Sequence, residues 1–356
     1  MGIREKLVRL AEEVHDPCVT ISLNTHRTHP DNQLDGILLK NLLNEAEKRI
    51  IEEYGKRPAA DLLEKISEIK NGGIDINLNL DSLHIFLSDR TKEIIRLTWP
   101  TIENRVVIDN RFDIRTLIKA SNRIYEYLIL TLSQSEVRLY EAMNDTIIAE
   151  IDNDDFPVTD NPWYLQNGAE RSNAKLIDDI NKEFFNRIDK SVVKIAQERD
   201  MKCIVICVEE NYSYLQSVAD KPDIYIGHSP IDYNNMAPHQ LAEQAWTVIE
   251  KNMHDERAKA IAEMKEAVAN SNVITDLQEI YRAAVDGRGD MLIVYEEYSQ
   301  PVSMTDDQSF SLSDDLTMPD IVSRIAWEVL SKKGKVYFTK QDEIKDLGDI
   351  VLKTRY

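Results

Sequence analysis

A nearly continuous apolar run at residues 203–208, CIVICV, constrains the fold more than any other feature of the chain. Successive side chains of a strand point to opposite faces, so an apolar residue at every position requires cover on both sides of the sheet. A helical pattern precedes this run, because apolar residues recur every three or four positions from Ile177 to Ile195. The two patterns together predict a mixed α/β fold.

The length of the chain predicts more than one domain. The chain has 356 residues, whereas a typical domain has about 100–200. We predict an N-terminal α/β domain at 1–111, a middle domain at 112–254 and a C-terminal α/β domain at 255–356. The middle domain is expected to begin with an antiparallel meander, because three strand-like runs follow one another closely from Tyr125 to Ile151.

Other segments carry weaker patterns. The run PCVTISL at 17–23 predicts a buried strand, and the alternation in IDINLNL at 74–80 predicts a strand with one wet face. Residues 301–320 are polar, acidic and aperiodic, which predicts a surface insertion. The three cysteines, Cys18, Cys203 and Cys207, lie in or beside strand-like sequence, where free thiols are typical of a core.

The charge balance restricts the partners of the chain. Asp and Glu total 63 against 43 Lys and Arg, which gives a net charge of -20. Such a charge repels a phosphate backbone at long range, so any contact with RNA must be local. The first residues carry frequent charges, and no run approaches the ~20 apolar residues of a membrane span. We therefore expect a cytoplasmic protein that does not contact membranes.

The loop at 154–173 is the main candidate functional segment. It is polar and lacks a helical or strand period, and loops of this length are typically functional or mobile. Its aromatic pair could stack on a nucleotide end or, alternatively, pin the loop to its own domain. The RNA-binding candidates are Trp163, Tyr164, Asn167, Gly168, Arg171 and Lys175. A basic strip that adds Lys182 and Arg187 would favour RNA over protein partners.

Ordinary catalytic and cofactor motifs are absent from the sequence. It has no Gly-rich phosphate loop, nucleophile elbow, HExxH or paired CxxC. His26 and His29, followed by Asp31, are the closest approach to a metal cluster, but no third ligand is evident and exposed loop histidines are the favoured interpretation. We predict no metal and no cofactor.

The arrangement of these segments resembles a known family. ITDLQEIYRAAVDGRGDMLIVYEEYSQP at 274–301 is similar to the start of the C-terminal domain of archaeo-eukaryotic release factors. The meander, the loop, the long helix and CIVICVEENYSYLQSV resemble their middle domain. With PCVTISLNTHRTHPDNQ upstream, the chain most resembles the bacterial branch, archaeo-eukaryotic release factor family three. The resemblance implies three domains, with an RNase H-like middle domain and a C-terminal domain similar to kink-turn-binding ribosomal proteins.

The resemblance also implies a function. Release factors carry Gly-Gly-Gln in the middle-domain loop, where it helps water to cleave peptidyl-tRNA, but here the slot holds Leu165-Gln166-Asn167-Gly168-Ala169. The stop-codon motif Asn-Ile-Lys-Ser is also missing. We therefore expect a ribosome-associated protein of translation quality control or ribosome rescue without Gly-Gly-Gln hydrolysis, with ribosome and tRNA as partners. Gln166 is the catalytic candidate if peptidyl-tRNA is cleaved. The alternative is a non-catalytic adaptor whose acidic surface binds proteins.

Overall fold

A computed structural model describes residues 3–101, 103–133, 136–159, 174–231, 236–306 and 308–356. Helices and strands intermingle along these residues, so the predicted mixed α/β class is confirmed. The chain divides into two compact units, of which the first combines residues 1–123 with 260–356 and the second holds residues 124–259. The division into three domains stays a prediction.

The described residues contain ten α-helices and fifteen strands. The helices are α1 (Ile3–Glu12), α2 (Asn32–Tyr54), α3 (Ala60–Glu68), α4 (Arg115–Arg123), α5 (Ala174–Arg199), α6 (Glu209–Val218), α7 (Pro238–Ala269), α8 (Leu277–Val285), α9 (Ile321–Ser331) and α10 (Gln341–Ile344). No described helix combines the length and apolar character that crossing a bilayer requires.

The strands form four sheets over the described residues. They are β1 (Val14–Asn24), β2 (Ser82–Leu87), β3 (Lys92–Leu97), β4 (Arg105–Arg111), β5 (Glu126–Leu132), β6 (Val137–Met143), β7 (Thr146–Glu150), β8 (Lys202–Ile206), β9 (Tyr225–Ser229), β10 (Val273–Ile274), β11 (Gly289–Tyr295), β12 (Val302–Asp306), β13 (Ser309–Leu312), β14 (Lys335–Thr339) and β15 (Ile350–Thr354).

The first unit contains two four-stranded sheets. One has the order β3-β2-β1-β4, and Ile21 at its centre pairs with Ile85 on one side and Val106 on the other. The other has the order β10-β15-β11-β14, in which β11 and β14 are parallel. One apolar cluster joins α1 and α4 to α8, α9 and the second sheet, through residues such as Leu10, Leu117 and Ile325. Both ends of the chain therefore share a core.

The second unit is a five-stranded sheet of order β7-β6-β5-β8-β9. The strands β5, β6 and β7 pair antiparallel, as the predicted meander requires, whereas β5, β8 and β9 are parallel. Cys203 and Val205 pack with α5 and α6 on one face, and Ile204 and Ile206 pack with α7 on the other. The prediction of a strand covered on both faces is confirmed for residues 203–206, whereas Cys207 and Val208 follow the end of the strand and Val208 is exposed. The three cysteines are free and buried.

Two sequence expectations differ from the structure. Residues 74–80 do not form a strand, because a 3-10 turn occupies Ile76–Leu78 and the Asp75 side chain accepts a 2.9 Å hydrogen bond from the Asn77 backbone N–H. This local bond competes with the extended conformation that the alternation favoured. The predicted surface insertion at 301–320 contains the hairpin β12–β13, and Val302 within it is fully buried.

Candidate functional site

The predicted functional loop leaves the second unit at one edge of its sheet. The parallel strands β5, β8 and β9 end at Leu132, Ile206 and Ser229, and the carboxyl ends of parallel strands lie at the same edge. Open α/β sheets bind ligands at this edge. The helix α5 runs back to the start of β8, so its first residue, Ala174, lies on the side of the carboxyl edge.

The first turns of α5 extend past the strands. The helix has 26 residues, which corresponds to about 39 Å, whereas the five residues of β8 span about 17 Å. Continuous packing against the sheet begins at Phe184 and Phe185, which are fully buried. Residues 178–183 are half-buried or exposed. Over residues 178–183 the helix therefore keeps a surface that is open to a partner.

The other stem of the loop is fixed to the meander. Val158 and Val137 exchange two backbone hydrogen bonds of 2.9 Å each. The Asn153 side chain accepts 2.9 Å bonds from the backbone N–H groups of Asp155 and Phe156, and the Phe156 side chain is fully buried. The chain thus leaves the sheet from an anchored turn.

Most predicted site residues lie between these stems, in a segment that the structure does not describe. Residues 160–173 fall outside the described residues. They include Trp163, Tyr164, Gln166, Asn167, Gly168 and Arg171. The backbone of Lys175 belongs to the first turn of α5.

The described part of the basic strip predicted along α5 contains Lys182 and Arg187. Lys182 is exposed and pairs with Asp178 one turn earlier at 2.7 Å, and this hydrogen bond raises the pKa of Lys182. An exposed pair of this kind contributes little to stability because water screens it, so a stronger anion can replace Asp178. Arg187 is exposed one turn further along the helix.

Sequence reasoning missed a group of polar side chains at the same carboxyl edge. The Tyr212 ring of α6 stacks on the His228 ring of β9, with ring centroids 4.1 Å apart and planes within 6°. His228 Nε2 donates to the Cys207 carbonyl at 2.8 Å, which leaves Nδ1 3.6 Å from the exposed Glu209 carboxylate. The Asn211 amide donates to the Leu132 carbonyl at 3.2 Å and so ties α6 to β5.

We call Cys207, Glu209, Asn211, Tyr212 and His228 the edge cluster. Burial raises the pKa of the Cys207 thiol to about 12, so this thiol stays protonated at neutral pH and is a poor nucleophile. The cluster offers a stacked aromatic surface and one exposed carboxylate. Four of its residues follow β8, and His228 lies near the end of β9. The rule that the carboxyl ends of parallel strands carry sites is the signal that could have found it.

The two loop histidines do not form a joint site. The Nδ1 atom of His26 lies 2.8 Å from Oδ1 of Asp35, whereas His29 Nε2 lies 2.8 Å from the side-chain amide nitrogen of Gln33. Asp35 is buried and also accepts from the His26 backbone N–H. Within the described ranges, no group of three or more His, Cys, Asp and Glu residues is arranged to hold a metal.

A family model matches part of the chain, and this part holds the second unit and its carboxyl edge. Residues 126–288 match the model of Bacterial archaeo-eukaryotic release factor family 3. This stretch contains β5 to β8, both stems of the loop, the edge cluster and the start of the C-terminal segment. The family resemblance inferred from the sequence is thereby confirmed over these residues. No curated protein sequence matches the chain.

Solved structures of release-factor-like proteins are similar over most of the chain. Archaeal translation termination factor aRF1 is 12% identical, with 99% of this chain and 97% of that chain covered and a TM-score of 0.25. Ribosome-bound archaeal Pelota is 13% identical, with 100% and 94% covered and a TM-score of 0.43. Dom34 of S. cerevisiae is 11% identical, with 78% and 74% covered and a TM-score of 0.36. These values are too low to transfer function or detailed geometry.

Proposed function

We propose that the protein is a release-factor-like, ribosome-associated factor of translation quality control or ribosome rescue. The observation that carries the proposal is the family match over residues 126–288. The ribosome and tRNA are the proposed partners, and the cytoplasm is the proposed compartment.

The proposed contact with RNA is made by the loop and the start of α5. Trp163 and Tyr164 would stack on unpaired bases, a contact worth about 1–3 kcal/mol per base. Asn167, Gly168, Arg171 and Lys175 would contact the sugar–phosphate backbone. The anchored stem at Val158 and the start of α5 on the side of the carboxyl edge support this assignment, because ligands of open α/β sheets bind at this edge. Because the net charge of -20 repels a phosphate backbone at long range, the proposed contact is local.

Charge reversal at this contact is expected to weaken ribosome binding. The double variant Arg171→Glu and Lys175→Glu removes two cations and adds two anions beside the proposed RNA, so we expect at least a tenfold loss of affinity, on the order of 1.4 kcal/mol or more. The measurement is pelleting of purified ribosomes with the protein at several salt concentrations. The matched control is Lys56→Glu with Arg57→Glu, two exposed residues just after α2.

Equal loss in both double variants would mean that total charge, and not the loop, governs binding. Unchanged binding in the loop variant would remove the proposed contact and favour the alternative function, an acidic adaptor that binds protein partners. That alternative has the net charge and the missing Gly-Gly-Gln as its support.

We further propose that Gly-Gly-Gln hydrolysis of peptidyl-tRNA is not retained. Two adjacent glycines permit backbone conformations that side chains at Asn167 and Ala169 disfavour. The expected result in a peptide-release assay on ribosomes is background release that is the same for the wild type and for Gln166→Ala. Release by the wild type that disappears in Gln166→Ala, but not in Gln33→Ala, would instead assign Gln166 as the residue that positions water.

A further inference from the structure

A cavity of about 550 Å³ lies within the first unit, far along the chain from the proposed RNA contact. Its walls come from the end of β4 and the segment that follows it, from β12 and from the helices α8 and α9. Ligand pockets of proteins typically have volumes of about 300–1,000 Å³. The cavity therefore has room for a small organic molecule.

One part of the lining is apolar and aromatic. Trp327 is half-buried, Tyr281 is buried, and Met304 and Val285 lie beside them. Aromatic side chains offer flat apolar surfaces that stack on planar groups, and a methionine adapts its shape to them. This part of the cavity fits a flat apolar body.

The charges of the lining are nearly all balanced within the protein. Four carboxylates line the cavity, and each has a cation as a direct partner. The pairs are Asp109 with Arg324, Asp113 with Arg105, Asp320 with Arg115 and Glu328 with Lys332. None of these acids therefore needs a cation from a ligand.

Arg111 is the exception among the lining charges. Its side chain forms no hydrogen bond and no ion pair with any residue that the structure describes, although it is only partly exposed. It is the last residue of β4, where it pairs across the sheet with Val14 of β1. Directly opposite residues of an antiparallel pair project from the same face, so Val14 and Arg111 lie side by side at the cavity. Among the described residues that line the cavity, Arg111 is therefore the one charged side chain without a charged partner.

We propose that this cavity binds a small organic anion, in which one carboxylate, sulfonate or phosphate group pairs with Arg111 and a flat apolar body lies against Trp327. Five donor hydrogens in a planar fork make a guanidinium suited to such a group. The lining combines residues from both ends of the chain, so the ligand would hold these two segments together. This inference does not depend on the proposed role in translation.

The test uses anilinonaphthalene sulfonate, an aromatic anion whose fluorescence rises on binding, and phenylnaphthylamine, which has the same rings without the anionic group. We expect saturable binding of the anion at one site in the wild type. Arg111→Gln should lower the affinity for the anion about tenfold and the affinity for the neutral compound less than about twofold. Arg111→Lys, which keeps the charge, should lose less affinity for the anion than Arg111→Gln.

Two further variants locate the site. Val14→Trp places bulk beside Arg111 at a position that is 54% exposed, so it should weaken both compounds while circular dichroism and the unfolding midpoint stay near those of the wild type. Arg57→Gln makes the same charge change at an exposed position outside the cavity and should leave both affinities unchanged. The proposal is wrong if the anion does not saturate, if Arg111→Gln weakens both compounds equally, or if Arg57→Gln matches its effect.

Discussion

Asp320→Ala is expected to lower the free energy of unfolding of the first unit by about 3–5 kcal/mol, the largest effect of any single substitution considered for this protein. The Asp320 carboxylate is fully buried and lies 2.8 Å from Nη1 of Arg115, which is also buried. Truncation leaves the Arg115 guanidinium charged, buried and without its counter-ion. Removing one member of a buried pair is costly for this reason.

Asp320 is also the N-cap of α9. Its carboxylate oxygens accept hydrogen bonds of 3.2 Å from the backbone N–H groups of Val322 and Ser323. They also accept a 2.9 Å hydrogen bond from the backbone N–H of Gln300. Burial alone would raise the pKa of Asp320, but Arg115 and these hydrogen bonds lower the pKa below its usual value. Asp320→Ala therefore removes a helix cap in addition to a counter-ion.

The measurement is the urea dependence of hydrogen exchange in peptides from α9, which reports on the first unit alone. Asp320→Asn keeps a capping oxygen and loses the charge, so its effect should fall between those of the wild type and Asp320→Ala. Asp315→Ala removes an exposed carboxylate that accepts a 2.9 Å hydrogen bond from the Thr317 backbone N–H. It should lower the free energy of unfolding by about 1 kcal/mol or less. Equal small effects for Asp320→Ala and Asp315→Ala would contradict the account of the buried pair.

The stability of the first unit is expected to fall by up to about 3 kcal/mol as the pH drops from 7 to 4, because of His84. The His84 ring is fully buried between the hydroxyls of Ser22 and Ser82, each 2.9 Å from a ring nitrogen. Burial lowers the pKa of His84 to about 4, and nearby Asp113 offsets only part of this shift. The folded state therefore holds a neutral ring.

The direction of this pH dependence follows from the number of protons that the folded and unfolded chains bind. The ordinary pKa of histidine is 6.5, so between pH 6.5 and about 4 the unfolded chain binds a proton that the folded chain does not. The contribution of the neutral His84 ring to the free energy of unfolding is fully present above pH 6.5 and is lost as the pH falls through this window. Carboxylates with lowered pKa, such as Asp81, lose their contribution at more acidic pH, and His26, whose pKa is raised, acts in the opposite direction.

The difference between wild type and His84→Gln isolates the histidine. The free energy of unfolding of the variant should decline less steeply than that of the wild type between pH 7 and 4. It is measured by urea unfolding at each pH, and hydrogen exchange in peptides from β2 reports on this region. His29→Gln, at an exposed position, should keep the wild-type slope. A slope that is the same in all three proteins would show that the His84 ring does not resist protonation in the fold.

Local patterns were sufficient for the elements that depend on neighbouring residues. The long helix α5, the covered strand β8 and the meander β5–β7 were all predicted, because their apolar periods are set within a few turns or strands. The alternation at 74–80 misled for an equally local reason, since the Asp75 side chain bonds to the backbone two residues later. Periodicity alone does not register such a side-chain bond.

The features that the sequence did not predict depend on contacts between residues that are distant in sequence. The edge cluster requires Cys207 and His228 to become neighbours through the pairing of β8 with β9. The cavity and the Arg115–Asp320 pair join segments about 200 residues apart. No spacing rule connects such positions, whereas the loop between β7 and α5 was found from its composition. Its candidate residues stay a prediction.

The central claim is association with the ribosome, and sedimentation of the wild-type protein with ribosomes tests it most directly. Ribosomes that hold a stalled peptidyl-tRNA are compared with empty ribosomes at low and moderate salt. The account predicts binding that weakens as salt rises and that favours the stalled ribosomes, because the proposed contacts are few, basic and directed at RNA. Absence of binding to either ribosome at low salt would contradict the account.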